Sequence, residues 1–225
     1  MMQKAPVERL FAGTVGALAW FALGLQLRLA IGFSVARGFS VAHGIIVYFG
    51  FFTIVTNILL ALVLTTACLR PASRGFLMSP ALRSASLVYI AIVAIVYSLL
   101  LRHLRTTGAA FVADSLLHDV VPPLYFLFWI AFVPKGTLRW MHPVYWLAFP
   151  VAYFAYILVR GALIGSYPYA FLDASALGYP RLALNGSLLL AAFLAMGVLC
   201  VGIDHALRPR KFNAPASPAP RSASG

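Results

Sequence analysis

Charge is scarce in this chain, and acidic charge most of all: five Asp and Glu against 17 Lys and Arg in 225 residues, with charged residues making up 10% of the whole. Hydrophobic residues account for 62%, and the mean hydropathy of +0.92 lies well beyond the range of a soluble domain. Cysteine is limited to Cys68 and Cys200, with no CxxC and no Cys/His ligand spacing, so both read as small apolar residues rather than a disulfide or zinc framework. Short alternating segments of about ten residues, the mark of a membrane β-barrel, are missing as well. No inverted repeat relates the two halves, which weighs against a transporter.

What remains is an integral membrane protein of continuous Leu/Ala/Val-rich runs. A spanning helix needs about 20 apolar residues. Such runs fall near 10–31, 44–68, 84–104, 113–133, 143–163 and 182–204. The expected architecture is all-α: one six-helix transmembrane domain over 1–207, then a basic Pro/Ala/Ser tail, 208–225, that cannot bury apolar surface and is expected to be disordered. Lys4 and Arg9 ahead of an apolar run mimic a signal peptide. A run of about 22 residues is long for a signal h-region, so it reads as an uncleaved first span.

Net charge of +12 does not imply nucleic acid here; what counts is which connections hold the basic residues. With the N-terminus in the cytoplasm, eleven fall inside (Lys4, Arg9, Arg70, Arg74, Arg83, Lys135, Arg139, Arg208, Arg210, Lys211, Arg221) and six outside (Arg28, Arg37, Arg102, Arg105, Arg160, Arg181). The bias predicts a multi-pass protein of a bacterial cytoplasmic membrane with both termini inside.

His118 stands within the fourth apolar run, where an ionisable group is costly and functional by default. Asp114 precedes it by one turn and can orient its imidazole, Asp119 follows it, and Pro122–Pro123 remove the N–H groups that would bond the carbonyls of His118 and Asp119, predicting a kink. A lone buried histidine is more often structural, but a carboxylate and a helix break beside it favour function. In the second run Thr53, Thr56 and Asn57 share one helix face. Helix packing is the simplest account of a single threonine; three polar groups together weaken it.

Spans two and four both run from outside to inside. At 1.5 Å per residue Thr53 lies about 12–14 Å below its outer end and His118 on the order of 8 Å below its own. Arg160 and Asn185 fall near the outer ends of spans five and six, under an uncharged aromatic connection that holds Tyr167, Tyr169, Phe171 and Asp173. That connection reads equally as an interfacial aromatic belt or as a lid. Thr53 as nucleophile, His118 as base, Asp114 or Asp119 as orienter, and Asn57, Asn185 or Arg160 near a developing oxyanion would make an acyl-transfer site. No metal or cofactor is called for: His103, His118 and the nearby Asp residues have no ligand spacing. A haem cytochrome would need paired histidines at one depth on two spans.

Three blocks carry a resemblance: Tyr48-Phe-Gly-Phe-Phe-Thr53-Ile-Val-Thr-Asn57-Ile-Leu-Leu, His118-Asp-Val-Val-Pro122-Pro-Leu-Tyr-Phe-Leu-Phe-Trp129 and Tyr167-Pro-Tyr-Ala-Phe-Leu-Asp173. In this order they resemble the bacterial six-span "Pr-six-Pr" membrane family. More distantly they are similar to the eukaryotic androgen-induced membrane proteins, multi-span threonine hydrolases of fatty-acid esters of hydroxy fatty acids. The resemblance implies a catalytic Thr53 and His118 and a lipid ester as substrate. Asn57, Asp119 and the doubled proline depart from the eukaryotic pattern. The competing reading is a transporter or a lipid-binding and assembly protein, in which Asp114 and His118 relay protons or line a path.

Overall fold

The computed structural model describes residues 4–102 and 107–209 of the chain. His103, Arg105 and the tail from 210 onward lie outside them. Among the described residues there is no strand, and six helices are long and apolar enough to cross a membrane. The protein is an all-α, multi-pass membrane bundle.

The first span is α1 (Lys4–Ala36). Gly38, at φ 82°, reverses the chain after it, and Ser40 caps α2 (Val41–Phe49) by accepting the His43 N–H at 3.1 Å. α2 then runs back along α1: Gly44 lies so close that a Cβ would sit 2.7 Å from the Ile31 Cα, and Tyr48 donates to the Leu23 carbonyl at 3.0 Å. After a break at Gly50–Phe51 comes α3 (Phe52–Leu69). The run at 44–68, expected as one helix, is therefore two, both packed against α1.

α4 (Pro80–Val96) begins at a Ser79 cap with Pro80 in its first turn, where the missing proline N–H costs nothing. It continues as a π turn, Tyr97–Leu101, closed by the Arg102 N–H on the Tyr97 carbonyl at 2.8 Å. The fourth span joins α5 (Gly108–Ser115), a second π turn at Leu116–Val120 and α6 (Val121–Phe132). The expected kink at Pro122–Pro123 takes this form because the Val121 N–H bonds the Leu116 carbonyl, five residues back, and the widened turn absorbs the two missing N–H groups. α7 (His142–Trp146) and α8 (Ala148–Ile164) make the fifth span, which stops at Gly165 in the left-handed region, φ 67°. α9 (Ala174–Ala206) starts from an Asp173 cap, eight residues before the expected start at 182, and is interrupted at Gly178, φ 70°.

Small residues let α1 and α3 pack closely: Ala12, Ala19 and Ala22 are fully buried, and a Cβ on Gly16 would lie 3.3 Å from the Leu64 Cβ. Leu60, Val63, Leu64, Tyr125, Phe128 and Trp129 fill the middle and the terminal half of the bundle without exposure. That half also holds an Arg83–Glu8 ion pair at 3.1 Å and Asp204, 1% exposed, whose carboxylate accepts the Leu138 N–H at 3.1 Å. These contacts join span ends, so charge sits where the helices leave the apolar core.

Candidate functional site

The break before α3 puts Thr53 in the first turn of a helix that starts inside the bundle rather than in the middle of a long one. Phe52 and Thr53 precede the first intrahelical bond, from the Ile54 N–H to the Phe51 carbonyl, so their own N–H groups have no helical acceptor and carry the positive end of the helix dipole. The Phe52 N–H is taken by the Tyr169 hydroxyl at 3.1 Å.

Thr53 Oγ1 lies 3.2 Å from His118 Nε2, and both residues are buried. On the far side of the ring, Nδ1 is 3.2 Å from Asp114 Oδ1 and 2.9 Å from the Asp114 carbonyl oxygen. Only acceptors surround Nδ1, so that nitrogen carries the proton and Nε2 is left bare to accept the Thr53 O–H. Of the two carboxylates flanking His118 in sequence, Asp114 meets the imidazole. Asp119 instead pairs with Arg102 on the exposed edge.

Tyr97 completes this group. Its hydroxyl donates to Asp114 Oδ2 at 2.5 Å, and its ring stacks on the imidazole with centroids 3.9 Å apart and planes 14° off parallel. Sequence reasoning missed it, because a tyrosine near the end of a span is the ordinary composition of a membrane interface. Gln26 and Tyr48 were missed too, and both line a cavity of about 240 Å³ that Thr53, Asp114, His118 and Tyr169 also face. A second, narrower cavity of about 70 Å³ is walled by Phe52, Ile92, Val96, Phe154, Gly186 and Phe193. Thr53, Tyr97, Leu101 and Tyr169 border both.

The remaining sequence candidates take other positions. Asn57 donates from Nδ2 to the Thr53 carbonyl at 2.9 Å, one turn below the hydroxyl, and its Oδ1 is buried without a protein partner, as is Thr56 Oγ1. Arg160, 6% exposed, donates from Nε to the Ile46 carbonyl at 3.3 Å and from Nη1 to the Ser166 carbonyl at 3.0 Å. It clamps α2 to the aromatic connection, and a Cβ on Gly50 would lie 3.0 Å from its Cζ. Asn185 donates to the Phe171 carbonyl at 2.8 Å. Both side chains thus hold the connection in place rather than point their donors at Thr53.

The connection itself folds inward. Tyr169 is buried, stacked on Phe171 at 5.1 Å and edge-on to Phe51, and burial pushes its hydroxyl upward, keeping it protonated and able to donate. Tyr167 packs flat on Gly161, where a Cβ would come within 2.1 Å of its ring. Asp173 serves α9: the Ser175 hydroxyl and the Ala176 N–H hold its carboxyl below the usual range. The four residues therefore divide, with Tyr169 and Phe171 at the cavities and Tyr167 and Asp173 in the scaffold.

Compared with models of known protein families, with curated proteins and with solved structures, the chain matches none.

Proposed function

We propose that this multi-pass membrane protein is an intramembrane hydrolase of lipid esters, with Thr53 as nucleophile, His118 as general base and Asp114 as the group that orients it. The observation that carries the reading is the contact of Thr53 Oγ1 with the bare Nε2 of His118 at 3.2 Å, with Asp114 on Nδ1, at the edge of a cavity large enough for a reacting group. The blockwise resemblance to the threonine hydrolases points the same way.

In the first step His118 Nε2 takes the Thr53 proton as Oγ1 attacks the ester carbonyl, and the carbonyl electron pair moves onto oxygen. The first-turn N–H of Thr53 and the Tyr169 hydroxyl are the donors on that side of the cavity suited to the oxyanion. Collapse expels the alcohol, which leaves with the proton from His118, and an acyl-threonine remains. Water, deprotonated by the same nitrogen, then releases the acid and restores Thr53. A lipid ester suits the setting because the cavities lie among spans and the narrower one has an apolar wall. The excess of Lys and Arg on the connections nearest the termini supports an orientation in a bacterial inner membrane with the site toward the outer leaflet.

A transporter needs a path that reaches both faces, and the zero-exposure side chains of Leu60, Leu64, Tyr125 and Trp129 fill the half beyond the site. The test is fluorophosphonate labelling of the protein in membranes. Wild type should be labelled at Thr53, Thr53→Ala not at all, and His118→Ala at a rate lower by about 10²-fold or more. Labelling unchanged in both variants would end the hydrolase reading and leave a lipid-binding or transport role.

A further inference from the structure

Two adjacent spans are both widened at one level. Tyr97–Leu101 at the end of the third span and Leu116–Val120 in the fourth each form a π turn, and each inserts one residue into the helical register. The second has a local cause in Pro122–Pro123; the first has no proline. Between them lies the closest aromatic contact to the Thr53–His118 pair, with Tyr97 covering one face of the imidazole at 3.9 Å while its hydroxyl holds the Asp114 oxygen that His118 does not use. Arg102, which closes the first π turn, pairs with Asp119 in the second and sits 5.2 Å from the Tyr97 ring centroid. The groups facing the imidazole are thus Asp114 from its own helix, Tyr97 from the third span, Thr53 from α3 and the cavity that Gln26, Tyr48 and Tyr169 also line, while the Arg102–Asp119 pair is exposed.

We propose that Tyr97 is a positioning residue for His118: its ring stops the imidazole from turning into the cavity, and its hydroxyl fixes the carboxylate that selects the Nδ1–H tautomer, so that Nε2 stays bare and aimed at Thr53. The inference rests on the hydrolase reading for its kinetic consequence but not for its geometry. An interfacial-belt tyrosine would direct its hydroxyl to headgroups and water. Tyr97 directs it to a half-buried carboxylate one hydrogen bond from the histidine. Tyr97 opens the π turn from the end of α4, and the turn is closed by Arg102, which pairs with Asp119 of the fourth span.

The experiment uses the full chain in lipid nanodiscs. Inactivation by a fluorophosphonate is followed to saturation, giving a maximal rate and a half-saturating concentration for wild type, Tyr97→Phe, Tyr97→Leu, Asp114→Asn and the Tyr97→Phe/Asp114→Asn double variant. Tyr97→Phe keeps the stack and loses one charge-assisted hydrogen bond, so its maximal rate should fall about tenfold with half-saturation unchanged. Tyr97→Leu should fall further, and the double variant should be no slower than Asp114→Asn alone, because the hydroxyl acts only through that carboxylate. A wild-type rate in Tyr97→Phe, or an equal tenfold loss in the Asp114→Asn background, overturns the proposal. The second arm is ¹⁵N NMR of the His118 ring, which should show a single Nδ1–H tautomer in wild type and a mixture in Tyr97→Leu. If wild type is not labelled at Thr53, the hydrolase reading fails while this spectrum still decides the role of Tyr97: an unchanged tautomer in Tyr97→Leu refutes it.

Discussion

Two aspartates flank His118 within five residues and have opposite surroundings. Asp114 is partly buried between the imidazole and the Tyr97 hydroxyl, and Asp119 is exposed beside Arg102. Asp114→Asn keeps the shape but offers a tautomer-blind amide to Nδ1, and labelling at Thr53 should slow by about a hundredfold. Asp119→Asn removes a surface ion pair and should leave the rate within a few-fold, since exposed pairs contribute little. Comparable losses in the two variants would contradict the assignment of Asp114. Thr53 and His118 were each legible in the sequence because a histidine and a Thr/Thr/Asn face are conspicuous inside apolar runs; that the two meet was an expectation that rested on the resemblance. The choice between Asp114 and Asp119 was left open, although i, i+4 spacing favours Asp114 and an i, i+1 neighbour lies about 100° around the helix. Asp114 meets the ring through its i, i+4 relation, and Asp119 is exposed and taken up by Arg102.

At the scale of elements, run length and composition set the spans but not their interruptions. The break at Gly50–Phe51 is flanked by equally apolar residues, so hydropathy carries no trace of it, yet it gives Thr53 a helix N-terminus. The Arg160 guanidinium on the Ile46 carbonyl and the Tyr153 hydroxyl on the Gly50 carbonyl, at 2.6 Å, take up the backbone groups that the break leaves free. The proline pair was visible and its effect on the helix was expected; its form, a widened turn, required knowing that Leu116 had a partner five residues on. A comparable device ends α6. Lys135 donates to the carbonyls of Trp129 and Val133, lies 4.0 Å over the Trp129 ring, and is lowered by burial from 10.5 to about 8. Between those two values the unfolded chain holds more protons than the folded one, so this group makes stability rise with pH across that window, and its penalty is fully present below it. The melting temperature in detergent should therefore climb from about pH 8 to pH 10.5 in wild type relative to Lys135→Gln. Parallel curves for the two proteins would show that the Lys135 ammonium is not desolvated.

For the whole molecule, six helices long enough to cross put the start of the first and the end of the last on one side, where Glu8 meets Arg83 and Asp204 meets the connection at Leu138. Reporter domains fused to each terminus in turn should report one compartment, the cytoplasm on the positive-inside argument. Opposite compartments would remove one span. The sequence by itself determined the solvent, the fold class and the number of spans, because each depends on how much apolar surface a stretch of chain carries, a sum over neighbours. It also marked Thr53 and His118, because polar groups are costly in lipid wherever they occur. Only the tertiary structure decided that these two meet, that Asp114 rather than Asp119 joins them, that Tyr97 covers the ring, and that Arg160 and Asn185 secure a connection instead of facing Thr53. Those outcomes turn on helix rotation and on breaks in register of a single residue, and one residue of register changes which face a side chain presents without changing the hydropathy of the run.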